Sequence, residues 1–74
     1  MSKLISTDAL IARINRVLRR NDEVLRKSRS MRMWLDCGNY YIVDVSMNAV
    51  VCQRIDPESL GRELGVLKPW EEAA

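Results

Sequence analysis

The side chains that could carry out chemistry are few, and the chain contains no histidine. Histidine is the commonest general base and the commonest metal ligand, so its absence removes the usual centre of acid–base catalysis. The remaining candidate acids and nucleophiles are Asp36, Asp44, Glu63, Cys37, Cys52, Ser46 and Ser59. Their spacing forms no set of nucleophile, base and orienting group, and the sequence has no glycine-rich phosphate loop. The sequence therefore predicts a non-enzymatic protein without catalytic residues.

Asp44 is the most unusual of these side chains, because it stands between two valines in an apolar run. A carboxylate in such a place needs a partner. We expect it either to pair with Arg54 or Arg32, or to cap the turn at residues 46–48.

The two cysteines, Cys37 and Cys52, are fifteen positions apart and form no C-x-x-C pair. Two cysteines without histidine do not indicate a zinc site, so no metal and no cofactor is predicted. On the outer strands of the sheet predicted below, they would lie about 10 Å apart, beyond the roughly 7 Å limit for a disulfide. We expect two thiols that act as small hydrophobic side chains.

Four basic side chains, Arg13, Arg16, Arg20 and Lys27, fall on one side of the first predicted helix at helical spacing. Such a face could neutralise phosphates of a nucleic acid or contact an acidic partner. Arginine is also a good helix former, so the same face could simply be solvated. Aromatic residues that could stack on bases are scarce, at 5% of the chain.

Apolar anchors are the other candidate binding feature. Trp34, Leu67 and Trp70 are large apolar side chains of the kind that dominate protein interfaces. The alternative is that Leu67 and Trp70 fold back and close the core of a monomer.

Apolar residues at three- and four-residue steps predict a first helix, which Ser6 or Thr7 caps. Short runs rich in β-forming residues follow, separated by turn residues, and Asp56-Pro57 then begins a second helix. The expected elements are a helix at 7–27, strands at 31–36, 40–45 and 49–55, a helix at 57–64 and an irregular tail at 66–74. The sequence therefore predicts an α+β fold, a two-layer α-β-β-β-α domain with a three-stranded antiparallel meander sheet.

The register of this sheet follows from its turns. A hairpin at Gly38-Asn39 would place Leu35 opposite Ile42, and the second turn would place Ile42 opposite Cys52. Both faces of such a sheet are largely apolar, whereas an antiparallel sheet normally leaves one face in water. Either the two helices cover opposite faces, or a second copy covers what is left, so a homodimer is one expectation.

The composition is that of one small globular domain, residues 1–74, with 47% apolar and 30% charged residues. The first residues lack the apolar segment of a secretory signal, and no apolar run approaches the roughly 18 residues that span a bilayer. We expect a cytoplasmic protein without membrane contact, and its short elements are typical of small bacterial or phage proteins.

Charge is divided unevenly along the chain. Residues 1–32 carry net charge +6 and residues 33–74 carry −4, so the halves could pair within one subunit, between subunits or with a partner. The leading hypothesis is a small binding or adaptor module that acts through contacts with a protein partner or with itself. The alternative hypothesis is a nucleic-acid-associated regulator that uses the arginine-rich face of the first helix. No small-molecule substrate is indicated.

Overall fold

The fold is given by a computed structural model, which describes residues 3–73. Its elements in chain order are β1 (Lys3–Ile5), α1 (Thr7–Leu18), a 3₁₀ turn (Arg19–Asn21), β2 (Glu23–Lys27), α2 (Met31–Cys37), β3 (Tyr40–Asp44), β4 (Ala49–Cys52), α3 (Pro57–Glu63) and β5 (Glu71–Ala73). The α+β class and the three-stranded antiparallel sheet are confirmed, with strand order β2-β3-β4. The ends of the predicted domain, Met1, Ser2 and Ala74, lie outside the described residues.

The first helix begins where the sequence predicts and ends earlier. The Ser6 hydroxyl accepts a hydrogen bond from the Ala9 N–H at 3.2 Å and so caps α1. The predicted continuation to residue 27 is wrong, because the helix ends at Leu18 and a 3₁₀ turn follows. Asp22 then adopts a left-handed backbone with φ 56°, which aspartate tolerates better than most residues. The chain leaves this turn as β2, the first strand of the sheet.

The predicted strand at 31–36 is also wrong, because these residues form α2. The Ser30 hydroxyl accepts a hydrogen bond from the Met33 N–H at 3.2 Å, and Met and Leu are good helix formers. Gly38 ends the helix with φ 78° and ψ −165°. Gly38-Asn39 therefore joins a helix to a strand instead of forming a hairpin, and Leu35 does not pair with Ile42.

The hairpin of β3 and β4 agrees with the prediction. Its strands are antiparallel, and Ile42 lies opposite Cys52 as expected. The predicted pairing nearer the turn is wrong by one residue, because Val51 is an extra residue in β4 and Val43 therefore lies opposite Val50. Asn48 in the connecting turn has the predicted left-handed backbone, with φ 52°. β4 ends at Cys52, earlier than predicted, because Arg54 turns the chain with φ 54°.

The C-terminal helix also begins as predicted, with Asp56 at the N-cap position and Pro57 at the first helical position. Gly65 follows the helix with φ 75°. The predicted irregular tail is wrong at its end, where β5 pairs in parallel with β1 in a small second sheet.

The core lies between α1, α3 and one face of the three-stranded sheet. Its buried members are Ile5, Leu10, Ile14, Leu18, Leu25, Ile42 and Leu67. Leu25 and Ile42 are register partners and share this face, whereas the next pair, Arg26 and Tyr41, points to the other side. α2 packs on that other side, where the Tyr41 hydroxyl lies 3.8 Å from the Met33 sulfur. The two predicted helices, α1 and α3, therefore lie on the same face, and the expectation that they cover opposite faces is wrong. The other face is covered in part by α2, which was predicted as a strand.

Candidate functional site

The sheet face that carries Tyr41 is only partly covered. Tyr41 itself is 7% exposed beneath α2, but further along the hairpin Val45 is 59% exposed. On the neighbouring strand, Val50 and Val51 are 41% and 46% exposed. α2 is seven residues long, too short to reach across the whole face. An apolar surface of valines is therefore left in contact with water.

The outer edge of β4 is open as well. β4 is the last strand of its sheet, and within residues 3–73 no strand pairs with its outer side. Its sequence, Ala49-Val50-Val51-Cys52, contains no charge and no proline, and all four residues are exposed. Natural proteins usually protect such an edge with lysine, proline, a bulge or a covering segment. β4 has one of these devices, because Ile42 lies opposite Cys52 and Val43 opposite Val50, which leaves Val51 as an extra residue in β4, a bulge. It has no lysine, no proline and, within residues 3–73, no covering strand.

α2 extends the apolar surface toward the end of β4. Trp34 and Leu35 are 47% and 60% exposed, and they line a cavity of about 490 Å³ together with Arg54 and Ile55. Two hydrogen bonds hold this junction together. The Arg54 N–H donates to the Cys37 carbonyl at 2.7 Å, and the Arg54 guanidinium donates to the Leu35 carbonyl at 3.4 Å.

The three residues predicted for a protein interface lie in different places. Trp34 is exposed on α2, as described above. Trp70 is 57% exposed and precedes β5, where its carbonyl accepts a hydrogen bond from the Lys3 N–H at 2.7 Å. Leu67 is 4% exposed and belongs to the core. For this residue the alternative expectation, that it folds back and closes the core, is confirmed. A binding surface in this fold can use the two tryptophans but not Leu67.

The four residues predicted for a basic helix face do not share one helix. Arg13 and Arg16 lie on α1, Arg20 lies in the 3₁₀ turn, and Lys27 lies on β2. The expectation for Lys27 is wrong because the helix ends nine residues before it. Arg16 and Arg20 remain exposed cations.

Arg13 is already occupied within the chain. Its guanidinium donates to the Val66 carbonyl at 3.1 Å and to a Glu71 carboxylate oxygen at 3.0 Å. Glu71 is 5% exposed and also accepts a hydrogen bond from the Lys68 N–H at 2.9 Å. The Lys68 N–H, followed by the Arg13 guanidinium, holds the pKa of the Glu71 carboxyl below its usual value. Sequence reasoning missed Glu71, because its neighbours in the sequence place it in a polar tail.

The remaining candidate chemistry has structural explanations. Asp44 accepts a hydrogen bond from the Met47 N–H at 3.2 Å, so the expected capping of the turn is confirmed. Cys37 is buried, Cys52 is exposed, and both thiols are free. In the part of the chain that the structure describes, no three His, Cys, Asp or Glu side chains are grouped so that they could hold a metal ion. No helix in that part has both the length and the apolar character needed to cross a bilayer.

Comparison of the chain with models of protein families, with curated protein sequences and with solved structures finds no match.

Proposed function

We propose that this chain is a non-enzymatic cytoplasmic binding module that acts through protein contacts, and that the partner at β4 is a second copy of the chain. The observation that carries the proposal is the bare apolar edge of β4. A second β4, antiparallel to the first, would continue the three-stranded sheet into a six-stranded sheet across a two-fold axis. Isologous contacts of this kind are the commonest way in which protein chains form dimers.

A second copy fits this edge in its hydrogen bonding. A strand edge presents unpaired N–H and C=O groups, and another extended strand satisfies them. In a register centred between Val50 and Val51, Ala49 of each copy lies opposite Cys52 of the other, and the two Val51 bulges meet beside the axis. The pairing also extends the apolar face, because the exposed valines of the two copies would then be neighbours.

Charge supports the same partner. β4 is uncharged, so two copies meet there without repulsion between like charges. In the antiparallel arrangement, the Arg54 end of one strand lies beside the turn of the other copy, where Asp44 accepts the Met47 N–H. The opposite net charges of the two halves of the chain favour contacts between copies in the same way.

The test is the oligomeric state in solution, measured by sedimentation equilibrium across a wide range of concentration. We expect a monomer–dimer equilibrium in the unmodified chain. Val51→Lys would place two lysines next to each other at the two-fold axis and should raise the dissociation constant at least about tenfold. Leu4→Lys adds the same charge at a 68% exposed residue of the small sheet and should leave the equilibrium unchanged.

Two results would contradict the proposal. One is a chain that stays monomeric at every concentration, and the other is an equal effect of the two lysine variants. Circular dichroism of both variants separates a change in assembly from a change in folding.

A further inference from the structure

A second concavity lies at the opposite edge of the sheet, between β2 and α2. It has a volume of about 360 Å³, and its lining residues are Leu25, Arg26, Lys27, Arg29, Met33 and Tyr41. Small-molecule and cofactor sites usually start at about this size. β2 and β4 are the two outer strands, so this cavity is separate from the edge proposed for self-association.

Three basic residues and no acidic residue line the cavity, and one of the three, Lys27, is the register partner of Tyr40 and points to the other face of the sheet. Arg26, Lys27 and Arg29 all line it, and among the described residues none of them has a carboxylate oxygen within salt-bridge distance. The two ion pairs of the described chain, Arg13 with Glu71 and Arg62 with Glu58, lie elsewhere. Neighbouring like charges repel each other, so an anion in the cavity would relieve an unfavourable interaction that the chain itself leaves in place.

The sequence shows the same concentration of charge. Residues 26–32 contain four cations and no acid. Of these residues, the predicted basic helix face included only Lys27. In the structure, residues 26–32 lie on β2, on the connection after it and at the start of α2.

Tyr41 provides an independent observation. It is 7% exposed, and within residues 3–73 its hydroxyl has no oxygen or nitrogen partner. Its contact is with the Met33 sulfur at 3.8 Å, and a thioether is a weak acceptor. Both residues line the cavity. A buried phenol hydroxyl that donates only to sulfur would make a stronger hydrogen bond to the oxygen of an anion that enters the cavity.

We propose that Arg26, Arg29 and Tyr41 form a binding site for a phosphate group. A phosphate has several acceptor oxygens and full negative charge, which matches two guanidinium groups and a hydroxyl donor. The inference goes beyond the proposed self-association and does not depend on it. The same chemistry serves a free phosphate or phosphate monoester and a phosphate in a nucleic-acid backbone.

The experiment uses one probe for a free phosphate and another for a phosphate in a nucleic-acid backbone. Inorganic phosphate is titrated into the unmodified chain by calorimetry, in chloride buffer at constant ionic strength. A fluorescein-labelled single-stranded oligodeoxythymidine is titrated by fluorescence anisotropy at several salt concentrations. Binding of inorganic phosphate assigns the site to a free phosphate, and binding of the oligonucleotide alone assigns it to a backbone phosphate.

Charge variants locate the site. The double variant Arg26→Gln, Arg29→Gln should weaken binding about a hundredfold or more, because each lost charge-assisted hydrogen bond lowers the affinity about tenfold or more. For the single-stranded oligonucleotide, the slope of log affinity against log salt should also become shallower by about 1.4, or about 0.7 for each lost cation. The matched control is Arg16→Gln, Arg20→Gln, which removes the same charge from exposed positions outside the cavity.

Two tyrosine variants distinguish binding at this cavity from non-specific attraction between basic side chains and an anion. Tyr41→Phe removes only the hydroxyl and should weaken binding about fivefold, in line with one lost hydrogen bond of roughly 1 kcal/mol. Tyr40→Phe on the neighbouring position should have no effect, because Tyr40 does not line the cavity. Failure of both probes to bind would overturn the proposal, and so would equal losses in the cavity variants and their controls. Failure of dimerisation alone would leave it standing, because sedimentation and binding are measured separately.

Discussion

The Asn15 side chain pairs with both backbone polar groups of Leu25. The Leu25 N–H donates to Asn15 Oδ1 at 2.7 Å, and the Leu25 carbonyl accepts from Asn15 Nδ2 at 3.4 Å. A side-chain amide on α1 thus takes the place of a neighbouring strand at the middle of the outer edge of β2. Side-chain pairing of this kind blunts an edge, and among the described residues β4 has no such pairing and only the bulge at Val51. The difference between the two edges is the reason that β4, and not β2, is the edge proposed for a second copy.

Removal of this amide should destabilise the fold. Leu25 is 3% exposed, so Asn15→Ala leaves a buried N–H and a buried carbonyl without partners. We expect a loss of about 1–3 kcal/mol in the free energy of unfolding, measured by urea denaturation. Asn21→Ala, at an exposed residue of the 3₁₀ turn, is the control and should change the free energy little. An Asn15→Ala variant as stable as the control would show that water replaces the amide without cost.

Gly38 should tolerate a side chain worse than Gly65. Both have positive φ, 78° and 75°, so alanine is strained at either position. A Cβ at Gly38 would also lie 3.1 Å from the Arg54 Cα, whereas a Cβ at Gly65 meets no atom within 4 Å. We expect Gly65→Ala to cost about 1–2 kcal/mol from backbone strain alone, and Gly38→Ala to cost clearly more. Thermal unfolding of the two variants measures the difference, and equal losses would mean that Arg54 moves aside freely.

The sequence predicted those elements whose signals are local. Ser6 begins the first helix, Asn48 provides the turn between β3 and β4, and Asp56-Pro57 begins the last helix. Each of these signals depends on one or two residues whose backbone preference is strong. The pair of Ile42 with Cys52 agrees with the prediction from that turn, but next to the turn the register differs by one residue, with Val43 opposite Val50, and the bulge at Val51 restores it.

The errors arose where two periodicities fit the same residues. Val24 and Leu25 continue the apolar steps of the first helix, yet they form a strand because Leu25 completes the core opposite Ile42. Asn21-Asp22 was the signal that the helix stops, since both residue types favour turns. Over 31–37 the apolar residues alternate as in a strand, but seven residues are too few to separate a strand from a helix. Ser30 and Gly38, at the two ends of α2, were the local signals that it is helical.

The candidate sites depended on the same errors. The apolar surplus of the sheet was predictable, because it follows from composition and from the turns around β4. The cavity proposed to bind phosphate was not predictable, since it exists only because residues 26 and 27 lie on a strand beside a helix. Leu67 was unpredictable for a related reason: its burial depends on how the chain returns after α3, and no local signal describes that path.

Stability should fall in acid through Glu71. Its pKa in the folded chain is lowered from the usual value near 4.5, first by the Lys68 N–H and then by the Arg13 guanidinium. The folded chain therefore holds this proton less tightly than the unfolded chain, and the stabilisation is present above about pH 4.5 and lost as the pH falls through the folded pKa. Glu71→Gln should be less stable than the unmodified chain near neutral pH and should show a shallower loss of stability in acid.

Urea denaturation from about pH 6 to about pH 3 measures this dependence. Glu72→Gln is the matched control, since Glu72 is the next residue and is exposed. Identical pH profiles for the two variants would show that the Arg13 contact does not hold the carboxylate in its charged form.

The two exposed tryptophans distinguish two modes of assembly. Trp34 lines the cavity beside Arg54 at the end of β4, whereas Trp70 lies at the start of β5 in the other sheet. If copies meet at β4, Trp34→Ala should raise the dimer dissociation constant several-fold, and Trp70→Ala should leave it nearly unchanged. Removal of Arg16 and Arg20 should have no effect in the same sedimentation measurement. A loss of dimer on Trp70→Ala alone would move the interface to the small sheet.

The proposed register of the dimer can be tested by a crosslink. With the two-fold axis between Val50 and Val51, residue 49 of one copy lies opposite Cys52 of the other, at a Cα separation of about 4.5–5.5 Å. Disulfides need about 4.4–6.8 Å between Cα atoms, so Ala49→Cys should produce a covalent dimer under mild oxidation, visible on a non-reducing gel. Cys37 is buried within each copy and should not take part. Ala9→Cys, on the exposed side of α1, is the control and should stay largely monomeric on the gel. If sedimentation shows a dimer but Ala49→Cys does not crosslink better than Ala9→Cys, the copies associate in another register or through the valine face alone.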